Sequence, residues 1–188
     1  MHDLDDWELV AQTQAGNTQA FAELVRRYQA PVIHFCQRMV GSAQEAEDLA
    51  QESFIRVYRH IGRLAPKAKF STVLFGIARN LALNALRDAR RQGRNSAQSL
   101  EEQLVEPAAS AETDRRARLK EIESALAKGI ARLSPEHREI LLLREMQGME
   151  YDEIAKALHC RKGTVRSRLA RAREQLRLRL VELGGDWL

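Results

Sequence analysis

Apolar residues recur along this chain at intervals of three and four, and no run alternates apolar with polar in the manner of a strand. That spacing predicts helices over 4–15, 18–40, 43–61, 70–91, 115–132, 135–146, 150–158 and 162–183, and an all-α fold. Turn residues fall between the runs: Gly16-Asn17, Gly41-Ser42, Gly62 with Pro66, Gly93, Pro107, Ser134-Pro135 and Gly148. Ser134-Pro135-Glu136 is a helix-start signal, serine as cap and proline at the first helical position.

The faces of three helices carry information. On 43–61, Ala46, Ala50, Phe54, Val57 and Ile61 share one side, while Asp48, Gln51, Ile55 and Arg59 point elsewhere. An isoleucine among polar groups marks either a protein interface or packing on a neighbouring helix. On 70–91, Phe70, Leu74, Ile77, Leu81 and Ala85 face a core, with Asn80, Asn84, Arg87 and Arg91 along the edge. The loop before it carries Arg63, Lys67 and Lys69. A basic loop beside an asparagine-arginine edge suits a single-stranded base and its phosphates; Asn84 can also be read as a buried amide tying helices together. On 162–183, Val165, Leu169, Ala172, Leu176, Leu180 and Leu183 form one stripe, opposite Ser167, Ala170, Arg171 and Glu174.

Residues 92–114 break the helical pattern. They are rich in Gln, Ser, Ala and Glu, have little to bury, and predict a flexible linker. Eight of the ten aromatics precede residue 76. Two small helical domains follow, 1–91 with the bulkier core and 115–188 packed from Leu, Ile and Ala, joined by 92–114.

Charge sharpens this division. The net charge of the 188 residues is only +4, but it is blocked: 161–179 holds eight basic groups against Glu174, and 79–94 five arginines against Asp88. Between them, 96–114 holds five acids and no base. Two basic blocks around an acidic tether point to two nucleic-acid surfaces. Cys36 and Cys160 are far apart, sit among apolar neighbours, and read as reduced thiols without metal-ligand spacing. Histidines 2, 34, 60, 137 and 159 are scattered, with no nucleophile near them, so no catalytic, metal or cofactor site is expected. The acidic first residues are no signal peptide and no run is long and apolar enough for a membrane, which predicts a cytoplasmic protein.

The run Tyr151 to Arg168 reads as helix, tight turn and arginine-studded helix, the arrangement that places a cationic rod in the major groove. Ala155 is expected to be the small residue at the helix crossing. His159 stands at the turn position that is often glycine, and histidine tolerates the left-handed conformation better than most residues. Glu150, in place of a Ser or Thr cap, is expected to weaken the start of the first helix. The plainer reading is a charged, solvated helix in a bundle.

Four segments in order resemble a sigma factor of bacterial RNA polymerase, of the small extracytoplasmic-function group. Ala20 to Tyr28 resembles the opening of region 2, and Ala46 to Ile55 its polymerase-binding helix. Phe70 to Asn80 resembles the segment that melts the −10 element. Leu133 to Arg138 with the helix-turn-helix run resembles region 4, which reads the −35 element. The resemblance implies that Asp48, Gln51 and Ile55 bind core polymerase. It implies that Arg63, Lys67, Lys69, Asn80, Asn84 and Arg87 hold the −10 strand, and that Lys162, Thr164, Arg166, Ser167, Ala170 and Arg171 face the −35 groove. It implies core RNA polymerase and promoter DNA as partners, with an anti-sigma factor as regulator. Val73 stands where the family commonly has tryptophan. A ligand-sensing repressor or activator and an enzyme are the competing classes; residues 1–91 show neither a pocket nor a phosphoacceptor pattern.

Overall fold

The structure is a computed structural model that describes residues 4–93 and 113–183. Eight α-helices follow one another: α1 Asp6–Gln14, α2 Thr18–Val40, α3 Ala43–His60, α4 Phe70–Arg91, α5 Thr113–Ala131, α6 Pro135–Leu141, α7 Tyr151–Ala157 and α8 Lys162–Glu182. A 3-10 turn, Ile61–Arg63, follows α3. There is no strand among the described residues. The expected linker lies mostly outside them, and α5 starts at Thr113, two residues earlier than its sequence pattern implied.

Local chemistry sets the boundaries. The Asp5 carboxylate accepts the N–H groups of Trp7 and Glu8, and Glu8 returns a bond to the Asp5 N–H, a capping box that starts α1. Asn17 and Ser42 cap α2 and α3, and Ser134 caps α6 ahead of Pro135. Gly41, at φ 91°, ends α2 in the left-handed conformation that glycine adopts without a Cβ clash. The expected helix over 135–146 changes register: its last turn, Leu142–Met146, is a π-helix.

In the N-terminal half, α2, α3 and α4 pack round Leu24, Phe35, Met39, Leu74 and Phe75, all buried. Phe35 and Phe75 meet edge to face, with ring centroids 5.6 Å apart. In the C-terminal half, α6 and α7 close over α8 through Ile140, Leu143, Ile154, Val165 and Leu169. The two halves do not stand apart. Their buried residues form one continuous cluster, and α7 lies against α4. Gly76 sits at that approach: a Cβ there would lie 3.7 Å from the Ala157 carbonyl oxygen, in ordinary van der Waals contact. Ala157 is buried at this crossing, whereas Ala155, the residue expected to be buried, is only half-buried.

Adjacent residues of α6 add two polar ties. The Arg138 guanidinium donates to the carbonyls of Ile130, Ala131 and Leu133 behind α5 and to that of Met39 at the end of α2. Three of those carbonyls, of Met39, Ile130 and Ala131, lie in the last turns of α2 and α5, where the helix ends are negative, so a buried cation is satisfied without a carboxylate. Burial pushes its pKa down to about 10, and it remains charged at neutral pH. Glu139, fully buried, receives the Arg79 guanidinium from α4 at 2.6 and 3.1 Å.

Candidate nucleic-acid interface

Three surfaces carry the residues singled out in the sequence. On α3, Ala46, Ala50, Ser53, Phe54 and Val57 face the core, so helical geometry turns Asp48, Gln51 and Ile55 outward together. All three are exposed, Ile55 by 36%. Packing of Ile55 inside a neighbouring helix is not what the fold does with it.

The second surface joins the 61–69 segment to the edge of α4. Arg63, Lys67, Lys69, Asn80, Asn84 and Arg87 are all exposed, so Asn84 is not a buried amide. Its Oδ1 accepts from Arg87 at 3.0 Å, and that of Asn80 accepts from Arg79 at 2.8 Å. The segment is pinned from α1. Trp7 Nε1 donates to the Ala68 carbonyl at 3.1 Å; Gln14 Nε2 donates to the carbonyls of Ile61 and Leu64 at 2.8 and 3.0 Å. Sequence reasoning missed both residues. The available signal was a tryptophan in an aromatic-poor chain, on a helix with a weak apolar face. Lys69 Nζ lies 2.8 Å from Glu153 of α7. Contact with Glu153 raises the Lys69 pKa. Burial pushes the Glu153 carboxyl up, but Lys69 and the Glu150 N–H outweigh it and leave it below the usual range.

The third surface is the helix-turn-helix. His159 stands at φ 49°, the one left-handed non-glycine residue among those described. Its N–H bonds the Lys156 carbonyl at 3.3 Å and that of Cys160 the Ala155 carbonyl at 3.0 Å, which closes α7 with a Schellman motif. The start of α7 is sounder than its sequence implied, because the Glu153 carboxylate accepts the Glu150 N–H at 2.8 Å. On α8, Val165, Leu169 and Ala172 are buried, and Leu176, Leu180 and Leu183 half-buried. Arg166, Ser167, Ala170 and Arg171 are exposed on the other side, with Thr164 half-buried among them. Lys162 reaches back to Asp152 at 2.8 Å. Arg173 bonds Glu145 at 2.6 Å and fastens α8 to the π turn. No side chain caps α8, which leaves its first N–H groups open to an anion.

The Sigma-70 region 2 model matches residues 24–92 and the Sigma-70, region 4 model residues 123–176. RNA polymerase sigma-H factor of Pseudomonas aeruginosa is 39% identical over 176 residues, 91% of each chain. This chain belongs to the extracytoplasmic-function group of the sigma-70 family. ECF RNA polymerase sigma factor SigW of Bacillus subtilis is 33% identical over 182 residues, 93% of this chain and 96% of the relative. The solved structure of CnrH with the cytosolic domain of CnrY shares the fold. Its TM-score is 0.70 at 24% identity, covering 96% of this chain and 99% of that one. The sigma factor RpoE of Bartonella quintana, solved with the anti-sigma factor NepR, gives a TM-score of 0.63 at 23% identity. The present chain is thus a sigma factor for transcription initiation with region 2 and region 4. Among the described residues no helix is long and apolar enough to cross a membrane.

Proposed function

We propose that this sigma factor works in the cytoplasm as a non-catalytic promoter-specificity subunit under the control of an anti-sigma factor. Asp48, Gln51 and Ile55 form the core-polymerase contact. Arg63, Lys67, Lys69, Asn80, Asn84 and Arg87 hold the unpaired −10 strand: the lysines and arginines take phosphates and the amides take a base edge. Extruding that base costs a few kcal/mol, which stacking and hydrogen bonds in the site must offset. Arg166, Ser167 and Arg171 read the −35 major groove, while Lys162 and the open first turn of α8 hold phosphate. In domain terms, 1–91 serves polymerase and the −10 element, 92–114 is the tether, and 115–188 serves the −35 element.

The observation that supports this best is the separation of three outward surfaces on one family-matched chain: the α3 face, the α4 edge and the α8 face. Two modest DNA contacts held at promoter spacing by polymerase reinforce one another through effective concentration. Transcription of fragmented genomic DNA by core polymerase, with and without the protein, tests the reading. New RNA 5′ ends sharing two upstream elements are expected. The same 5′ ends in both reactions would overturn it.

A further inference from the structure

Beside the far end of α8 the fold leaves an apolar groove of about 540 Å³. Leu126 and Ile130 of α5, Leu142 and Met146 of the π turn, and Leu176 and Leu180 of α8 line it. Leu126 is 39% exposed and Met146 43%. The volume suits a bulky side chain or a small ligand, and an unbranched methionine at the mouth adapts to what enters. Three arginines stand at the rim. Arg173 is paired with Glu145 at 2.6 Å and Arg177 with Glu174 at 2.8 Å. Arg38, near the end of α2, is half-buried and has no hydrogen bond or ion pair among the described residues. The groove therefore suits an apolar group with a carboxylate next to it.

The segment that follows α8, Gly184-Gly185-Asp186-Trp187-Leu188, offers that pair of groups and lies outside the described residues. It holds one of the two tryptophans of an aromatic-poor chain, next to an acid. We propose that Trp187 folds back into the groove, with the Asp186 carboxylate on Arg38. Gly184 stands where a helix most often turns left-handed and changes direction, and Gly185 adds a second permissive position. The reach is sufficient. Leu183 to Trp187 spans up to ~13 Å when extended, and Leu180 lies only ~5 Å back along α8. An indole buries roughly 150–250 Å² and would close the mouth between Met146 and Leu126. The short tether makes the docking intramolecular, at an effective concentration on the order of millimolar, which favours the chain's own groove over that of a second copy. Any partner that uses this face of region 4 must then displace Trp187.

The full-length protein labelled with 5-fluorotryptophan gives one ¹⁹F resonance for Trp7 and one for Trp187, assigned with Trp187→Phe. The Trp187 resonance should lie away from that of the free peptide Gly-Gly-Asp-Trp-Leu, show little change between H₂O and D₂O, and not depend on protein concentration. Met146→Glu, at an exposed position that the fold does not need to bury, should move it to the peptide value. Arg38→Ala and Asp186→Asn should each lower the docked-to-free ratio roughly 2–5-fold, the measure of a half-exposed ion pair, and together no further than either alone. A Trp187 resonance at the peptide value in the unaltered protein overturns the proposal. So does a docked resonance that Met146→Glu leaves in place, since the indole is then buried elsewhere. Docking that appears only as concentration rises assigns the groove to a second copy and overturns the fold-back. Losses that add in the double variant overturn the pairing of Asp186 with Arg38.

Discussion

Arg79 of α4 donates two hydrogen bonds to the carboxylate of Glu139 in α6, at 2.6 and 3.1 Å, across the junction of two halves that are separate in sequence. Glu139 is fully buried, and the Arg79 side chain is 18% exposed. The pair couples the melting of the halves. Wild type is expected to unfold in one calorimetric transition. Glu139→Ala should split off an earlier one for the C-terminal half, by roughly 5 °C, the shift that ~1 kcal/mol produces in a unit of this size. The Lys69–Glu153 pair has an exposed lysine, and its loss in Glu153→Gln should cost well under ~1 kcal/mol.

Arg138 makes a sharper demand. Four carbonyls from α2 and from the end of α5 and the residues after it accept from one guanidinium. Arg138→Met fills the space and removes the donor; the Ile130 carbonyl keeps the Leu133 N–H at 3.1 Å, and each of the other carbonyls that finds no water costs ~1–3 kcal/mol. Urea unfolding at neutral pH should show a loss of at least ~3 kcal/mol. Arg138→Lys should recover only part of it, because an ammonium cannot fork toward two helix ends at once.

Trp7 and Gln14 tie the 61–69 segment to α1 by three bonds to its carbonyls. Trp7→Phe with Gln14→Ala removes those donors and should loosen the segment that carries Arg63, Lys67 and Lys69. At about 1 kcal/mol per hydrogen bond, promoter opening measured by permanganate reactivity at the −10 element should fall several-fold or more. Affinity for a −35 duplex should not change. A fall in both would mean that the variant damages the fold as a whole.

The helices were legible because their apolar stripes are strong: α4 spans Phe70–Arg91 as the spacing indicated, and Val165, Leu169 and Ala172 are buried as the stripe required. Region 4's turn was legible at His159, since few residues other than glycine accept φ 49°. The junction of the halves was not legible. Glu139 sits in Pro135–Leu141 as one acid among polar neighbours, and nothing local tells a buried glutamate from a solvated one. Gly76 carries no turn signal because it lies inside a helix, where it faces the Ala157 backbone. The sequence pointed to Ala155 and left Ala157 unremarked for a similar reason. Periodicity fixes a helix's buried side only when its neighbours are known, and α7 is buried against α4 as well as α8.

Arg171 stands exposed on α8 one turn from Ser167, and no ion pair holds it among the described residues. A guanidinium free to reach a guanine edge contributes about 1–3 kcal/mol of discrimination. Arg171→Ala should lower transcription from the native −35 sequence roughly 10-fold or more and flatten the preference at one base position. Transcription from a set of −35 single-base variants measures both. Uniform weakening across the set would make Arg171 a phosphate contact.

His159 decides how the two helices of the motif meet, and its backbone can be tested apart from its side chain. The imidazole is exposed, so removing it costs little packing. The left-handed backbone is another matter. Any side chain there sets its Cβ against the following carbonyl, at ~1–2 kcal/mol, and a β-branched one adds a second γ carbon to the crowding at a cost of the same order. His159→Val should therefore destabilise the protein by about that amount, and His159→Gly should leave stability unchanged or slightly raised, since relief of strain offsets glycine's extra unfolded-state freedom. The two variants should also diverge in function. With glycine the Schellman bonds to the Lys156 and Ala155 carbonyls persist and −35 recognition is kept. With valine those bonds lengthen, α8 tilts from its seat on α7, and −35 discrimination falls with stability. Equal stability in the two variants would show that the turn takes no strain from its side chain.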